Sequence, residues 1–426
     1  MRIGTKHNAR STSSPDAGRV TPKNNRSKIR FTPRMLGSMV GAISSFATGC
    51  AFAAPWVVTN TSDDAMDTGS LRHAVVNAAP GDTITFDLPT YPAAIQLTGS
   101  DENAILSIQK SLTIIGPGAS QLTITAVHTD VSNSNAFNVS QPGTPATDIN
   151  VAISGLRIEY GGSGVWCSGY AFGTDFKVNL TLADLELVNN IDGVDVDYTA
   201  TATISDSTIS GGDFGINAYS YAEAGGPSNV TIERSTLSNN HSAVYNGGSN
   251  VAISNSTLVD NGFASTDPYW ASVIGDAGST TTLVFSTVSG SPNVATPGLR
   301  AYDASAVFNL KNTLVAGHSG GNCAAQITSL HHNLSDDASC SLGANDLDNT
   351  TAGLDPAGLA SNGGTTQTIA LLPASPAMNA VPIADCSDAQ STPVLIDQRG
   401  FVRPVGSGCE IGAWELNDRI FSASFD

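Results

Sequence analysis

Acid–base chemistry needs carboxylates and imidazoles that a fold can bring together, and one stretch of this 426-residue sequence offers them. Asn190-Ile-Asp192-Gly-Val-Asp195 is followed, 21 residues after Asp192, by Asp213, then by His241 and Arg300. Two carboxylates held ~6.5–9.5 Å apart suit inverting glycoside hydrolysis, one protonating the leaving oxygen and the other activating water. Asp192 and Asp213 each come just after a turn-forming pair, Asn189-Asn190 and Gly211-Gly212, and His241 follows Asn239-Asn240. If those turns stack, the side chains share one face. Tyr198, Tyr219, Tyr221, Tyr245, Tyr269, Trp270 and Tyr302 fall in the same stretch. Aromatic rings such as Tyr219, Tyr245 and Tyr302 beside Asp195 and Asn217 suit sugars, which present apolar C–H faces and polar rims.

Other chemistries lack their residues. There is no G-x-S-x-G elbow for Ser-His-Asp catalysis, and Gly161-Gly-Ser-Gly164 lacks the Lys-Ser/Thr end of a phosphate loop. The cysteine spacings are not those of a zinc site and the seven histidines are scattered, so no metal site is expected. Calcium remains open as a ligand of the acidic surface through carboxylate and carbonyl oxygens, without an EF-hand or calcium nonapeptide.

The elements that must position these residues are repeats. A phrase recurs at Ile153–Ile158, Leu182–Leu187, Ile204–Ile209, Ile232–Leu237, Ile253–Leu258 and Leu283–Val288, at intervals of 29, 22, 28, 21 and 30 residues. Units this short cannot bury a face alone, which marks a solenoid. Ile, Leu and Val alternate with Ser and Thr in each phrase, and no 3.6-residue periodicity intervenes, so the repeats are β-strands. Gly, Asn and Asp interchange after each phrase, where a left-handed backbone costs other residues ~1 kcal/mol or more. A second short strand follows, as in Gly193-Val-Asp-Val and Gly215-Ile-Asn-Ala. The pattern predicts an all-β parallel β-helix over residues 81–320, of about ten coils stacked ~4.8 Å apart.

Charge divides the chain. Charged residues make up 13% of the sequence, against about 25% in ordinary soluble domains. Nine of the 19 Lys and Arg lie in the first 34 residues; after residue 54 there are 10 basic and 36 acidic side chains, a net of −26. Such a field repels nucleic acid and anionic lipid. The basic start, the uncharged Met35–Ala54 and its small-residue end read as a signal peptide over 1–54, placing the protein outside the cell or on a bacterial surface. No later stretch is long enough to span a membrane.

The open ends of such a stack need covering. Residues 55–80 read as an N-terminal cap with a short helix presenting Leu71, Ala74, Val75 and Ala78 on one face, stopped at Pro80-Gly81. Residues 321–416, rich in Gly, Pro and Cys, read as a C-terminal cap, and 417–426 as a tail. In an oxidising compartment Cys323–Cys340 and Cys386–Cys409 close short loops, leaving Cys167 unpaired.

Gly69-Ser-Leu-Arg-His-Ala74 resembles, in part, the C-S-L-R-E-A N-terminal motif of secreted bacterial β-helix proteins. Asn362-Gly-Gly-Thr365, Leu371–Ala377, Asp397-Gln-Arg-Gly400 with Arg403, and Cys409–Glu415 resemble the terminal segment of choice-of-anchor Q proteins. These resemblances imply a right-handed, pectin-lyase-like β-helix and no particular reaction. Asn190–Asp195 also resembles the N-T-D-G-x-D motif of polygalacturonase-type glycoside hydrolases. That likeness implies Asp192 and Asp213 as acid and base, assisted by His241 and Arg300. Phe214 replaces that family's adjacent second Asp, and Arg300-Ala301-Tyr302 replaces its R-I-K. The leading expectation is therefore a secreted or cell-surface scaffold for binding or adhesion, with carbohydrate or a cell-surface glycan as a candidate ligand and Asp195, Asn217, Tyr219, Tyr245 and Tyr302 as its contacts. A polysaccharide-degrading enzyme, hydrolase before lyase, is the alternative. Basic residues are the scarcest class here, and lyases on this fold generally use a Lys or Arg base.

Overall fold

The computed structural model describes residues 55–98, 105–126, 135–140, 148–171, 174–175, 177–220, 226–262, 269–290 and 295–416. The expected signal segment, the expected tail and Tyr221 lie outside them. Each coil contributes three short strands, for example Val178–Ala183, Glu186–Val188 and Asp192–Asp197, followed by Thr201–Ser205, Thr208–Ser210 and Phe214–Tyr219. Stacked, they form three parallel sheets of 11, 10 and 9 strands, here the first, second and third in the order the chain visits them. This is the expected parallel β-helix, and its in-register pairing places like on like. Val151, Leu180, Ala202, Val230 and Val251 make one inward column of the first sheet, each at most 2% exposed. Burying a Val or Leu side chain contributes ~1.5–3 kcal/mol, so the column ties neighbouring coils together.

The corners explain the recurrent Asn, Asp and Gly. Between second and third sheets, Asn189, Gly211, Asn239 and Asp260 have φ of 55°, 79°, 55° and 52°. The next residues include Asn190, Asn240 and Asn261, all buried. They form a ladder in which Asn240 Nδ2 donates to Asn261 Oδ1 at 3.1 Å and the amides satisfy backbone groups. Between first and second sheets a hydroxyl ladder does the same: the backbone N–H groups of Leu185, Ser207 and Ser235 donate to Ser207, Ser235 and Ser256 Oγ at 3.1–3.2 Å.

At the N-terminal end, helix Leu71–Asn77 is capped by Ser70, whose Oγ accepts from His73 N. Leu71, Ala74, Val75 and Ala78 are buried, as the sequence predicts for a helical plug. At the other end parallel pairing continues past Leu314, where the repeat ceases to be legible, through Ile327–Ser329 and Leu334–Ser335. Cys323 and Cys340 are bridged there, with Cα atoms 4.8 Å apart, and Cys386 and Cys409 are bridged further on, at 6.0 Å; Cys167 is a free, buried thiol.

The C-terminal segment does more than close the last coil, because it also runs back over the outer face of the second sheet. Second-sheet strands Arg157–Glu159, Glu186–Val188 and Thr208–Ser210 bury only their middle residue, whereas Thr236–Ser238, Thr257–Val259, Thr287–Ser289 and Leu314–Ala316 are buried throughout. Gln398 joins the layers: its Nε2 donates to Ser235 O and Thr236 Oγ1, and its Oε1 accepts from Thr257 Oγ1. Among the described residues no helix is long and apolar enough to cross a membrane.

Candidate functional site

The third sheet carries the residues singled out above on its outer face. In Asp192–Asp197 the inward residues are Val194 and Val196, and Asp192, Asp195 and Asp197 point outward. Asp192 and Asp195 are three apart, so plain alternation would set them on opposite faces. The alternation slips at Gly193, which is buried along with Val194. A Cβ there would lie 2.4 Å from Ile209 Cγ2 and 2.5 Å from Gly215 O, so only glycine fits this start of the strand. Gly164 and Gly215 occupy the same place in the coils on either side.

Register then stacks the outward side chains. One column runs Trp166, Asp195, Asn217, Tyr245, Ile274, Arg300; beside it run Ser168, Asp197, Tyr219, Gly247, and on the other side Ser163, Asp192, Phe214, Ser242. Trp166 Nε1 donates to Asp197 Oδ2 at 2.8 Å, Asn217 Nδ2 to Asp192 Oδ2 at 3.2 Å, and Tyr245 OH to Asp276 Oδ2 at 3.1 Å. The Tyr219 and Tyr245 rings stack at 6.4 Å and 7°. Asp213 and His241 sit at the edge, with His241 Nδ1 2.6 Å from Asp213 Oδ1, at 50% and 31% side-chain exposure. Trp270 lies against the rings of His241, at 5.0 Å, and Phe214, at 5.4 Å.

The structure thus brings together Asp192, Asp195, Asp213, Asn217, Tyr219, His241 and Tyr245. It does not bring Arg300 to them. Asp195 and Arg300 share a column but lie four strands apart, about 19 Å, because the short strand Val273–Gly275 intervenes. Tyr302 follows that last strand, exposed and edge-on to Tyr269 at 6.1 Å. Sequence reasoning missed Trp166, Asp197 and Phe214. The i, i+2 spacing of Asp195 and Asp197 in a strand was the signal that they share a face.

Electrostatically the face is one-sided. Burial pushes the Asp192 carboxyl up to about 7, opposed by its hydrogen bond from Asn217 and aided by Asp213 and Asp197. Burial, then Asp197 and Asp192, push Asp195 up to about 9, and burial raises Asp197 against the pull of the Trp166 hydrogen bond. Asp195 and Asp197 titrate as a coupled pair. Asp192 Oδ1, Asp195 Oδ1 and Asn217 Oδ1 are buried atoms without a hydrogen-bond partner. Calcium takes six to eight oxygens, and no group of three or more His, Cys, Asp or Glu among the described residues is arranged to hold a metal ion.

No family profile matches the chain, and neither does a curated protein. Among solved structures it resembles the pectate lyase Pel9A, with a TM-score of 0.51 at 13% identity over 86% of this chain and 97% of that one. It also resembles ORF18 of Geobacillus virus E2 (TM-score 0.45, 14% identity, 66% and 61% of the two chains). A third likeness is to the alginate lyase of Paenibacillus sp. strain FPU-7 (0.39, 14%, 66% and 98%). The likeness to Pel9A is one of fold: the chain folds as a right-handed parallel β-helix.

Proposed function

We propose that the outer face of the third sheet binds carbohydrate, and that the protein is an exported, extracellular or surface β-helix scaffold. The observation that carries this reading is that four successive rungs set aromatic rings (Trp166, Tyr219, Tyr245) beside buried polar atoms lacking partners (Asp192, Asp195, Asn217) on one face. Rings supply flat apolar area, and unsatisfied buried acceptors are costly until a ligand hydroxyl meets them. A fold in common with a pectate lyase is consistent with such a ligand. Export is supported by the basic-then-apolar first 54 residues and the two disulfides; the choice-of-anchor Q likeness of the C-terminal segment fits surface display. Affinity electrophoresis through gels of neutral, uronate and amino-sugar polysaccharides tests binding: retardation by at least one, lost in Tyr219→Ala/Tyr245→Ala, is expected. No retardation by any polymer overturns the reading.

A hydrolytic reading is favoured by one observation: Asp192 holds its proton to about 7 and lies one coil from the Asp213–His241 pair. Asp192 would donate the proton to the leaving oxygen, and Asp213, oriented by His241, would take one from water. Arg300 lies too far along the column to assist at Asp192. New reducing ends on incubation support hydrolysis, unsaturated products an elimination, and retention without turnover binding alone.

A further inference from the structure

On the coils from Asp192 to Tyr245 the orphaned side-chain atoms are three acceptors, Asp192 Oδ1, Asp195 Oδ1 and Asn217 Oδ1, and the Ser242 hydroxyl. Ser242 is fully buried and stands in the outward column of Asp192 and Phe214. No Lys or Arg occupies an outward position in these strands. Burial and mutual repulsion therefore keep protons on carboxyls that have no cation to meet. What completes such a face is a ligand that brings donors and positive charge. A polyuronate would instead add negative charge to a chain whose residues after 54 sum to −26.

We propose that this face takes a cationic amino-sugar polysaccharide, with ammonium groups of glucosamine-type residues meeting Asp192, Asp195 and Asp197 and sugar faces stacking on Trp166, Tyr219 and Tyr245. The proposal rests on the carbohydrate-binding reading above. An ammonium offers three donors to acceptors that have none; by favouring the ionised carboxylates it displaces to solvent the protons that burial holds there, so the hydrogen bonds formed are charge-assisted and about twice as strong as neutral ones. A polyamine would satisfy the carboxylates equally well, but it has no flat face for the parallel Tyr219 and Tyr245 rings, or for a Trp166 indole fixed to Asp197.

The test is calorimetric titration of the full chain with hexamers of glucosamine, N-acetylglucosamine and galacturonate, at pH 6 and low salt, with spermine as a control. The glucosamine hexamer should bind about tenfold tighter than the acetylated one, a difference of about 1.4 kcal/mol, and galacturonate should not bind. Asp195→Asn/Asp197→Asn should shrink that preference to within about threefold, and Tyr245→Ala should weaken both neutral and cationic hexamers. Thermal melts establish that both variants are folded. Equal affinity for the acetylated hexamer, or tighter binding of galacturonate, overturns the cationic preference and leaves the carbohydrate reading intact. Binding of none overturns both. Spermine matching glucosamine, with no effect of Tyr245→Ala, overturns the amino-sugar assignment in favour of bare charge.

Discussion

In the C-terminal segment Arg403 is wholly buried, yet its Nη1 donates to Glu415 Oε2 at 2.7 Å and to Glu410 O at 3.0 Å, and its Nη2 to Gly412 O at 2.7 Å. Its guanidinium lies 4.3 Å over the Phe285 ring, which belongs to the stack. Arg399 pairs with Asp397 at 2.7 Å, and burial beside Glu415 pushes Glu410 up to about 8. Charges there cancel locally. The third-sheet face gathers Asp192, Asp195 and Asp197 with no Lys or Arg in the strands Ser163–Ser168, Asp192–Asp197, Phe214–Tyr219 and Ser242–Gly247; it leaves acceptors unmatched, whereas the orphaned atoms of the C-terminal pairings are donors, Arg403 Nε and Trp414 Nε1. A buried charge costs several kcal/mol unless it is paired, so the first arrangement holds two layers together and the second detracts from stability. What the stack gives up there is intelligible as readiness for a ligand.

The sharpest break in that comparison is Arg403→Met. It strands Glu415 in the interior and should lower unfolding stability by ~3–5 kcal/mol, read as a large fall in the urea midpoint. A small change would mean that the ion pair adds nothing to the cap. Gln398→Ala comes next: it removes the amide that bridges Ser235, Thr236 and Thr257 to the cap and leaves Thr257 Oγ1 without its acceptor. A loss of ~2 kcal/mol is expected, with faster proteolysis after residue 350 if the C-terminal segment lifts before the stack unfolds.

The two regions were unequally legible. Coil phrases, left-handed corner residues and helix-facing Leu71 and Val75 are local, and repetition amplifies them, so the stack could be read from the chain. The C-terminal overlay could not, since Gln398 meets Thr257 across 141 residues with no periodic signal. Asp192, Asp195 and Asp213 were readable as turn neighbours that stack. Arg300 was misplaced because Val273-Ile-Gly275 is too short to announce itself as a coil. The Gly193 slip, which turns Asp192 to the face of Asp195, depends on close contact with Ile209 and Gly215 in neighbouring elements.

The smallest expected effect separates the regions by sign. Asp195 has a folded-state pKa of about 9, above the ~3.9 of an unfolded chain, so between those values the native state binds more protons. Its contribution is therefore fully present below about pH 4 and is lost as pH rises through about 9. Asn keeps the shape without ionising. Asp195→Asn should match wild type at pH 4 and exceed it by ~1–2 kcal/mol at pH 8, an amount reduced by coupling with Asp192 and Asp197 and by partial solvent access. Urea midpoints at pH 4, 6 and 8 read this directly. Parallel curves for the two proteins would mean that Asp195 ionises freely in the fold, and that the third-sheet face is as comfortable with its charge as the cap.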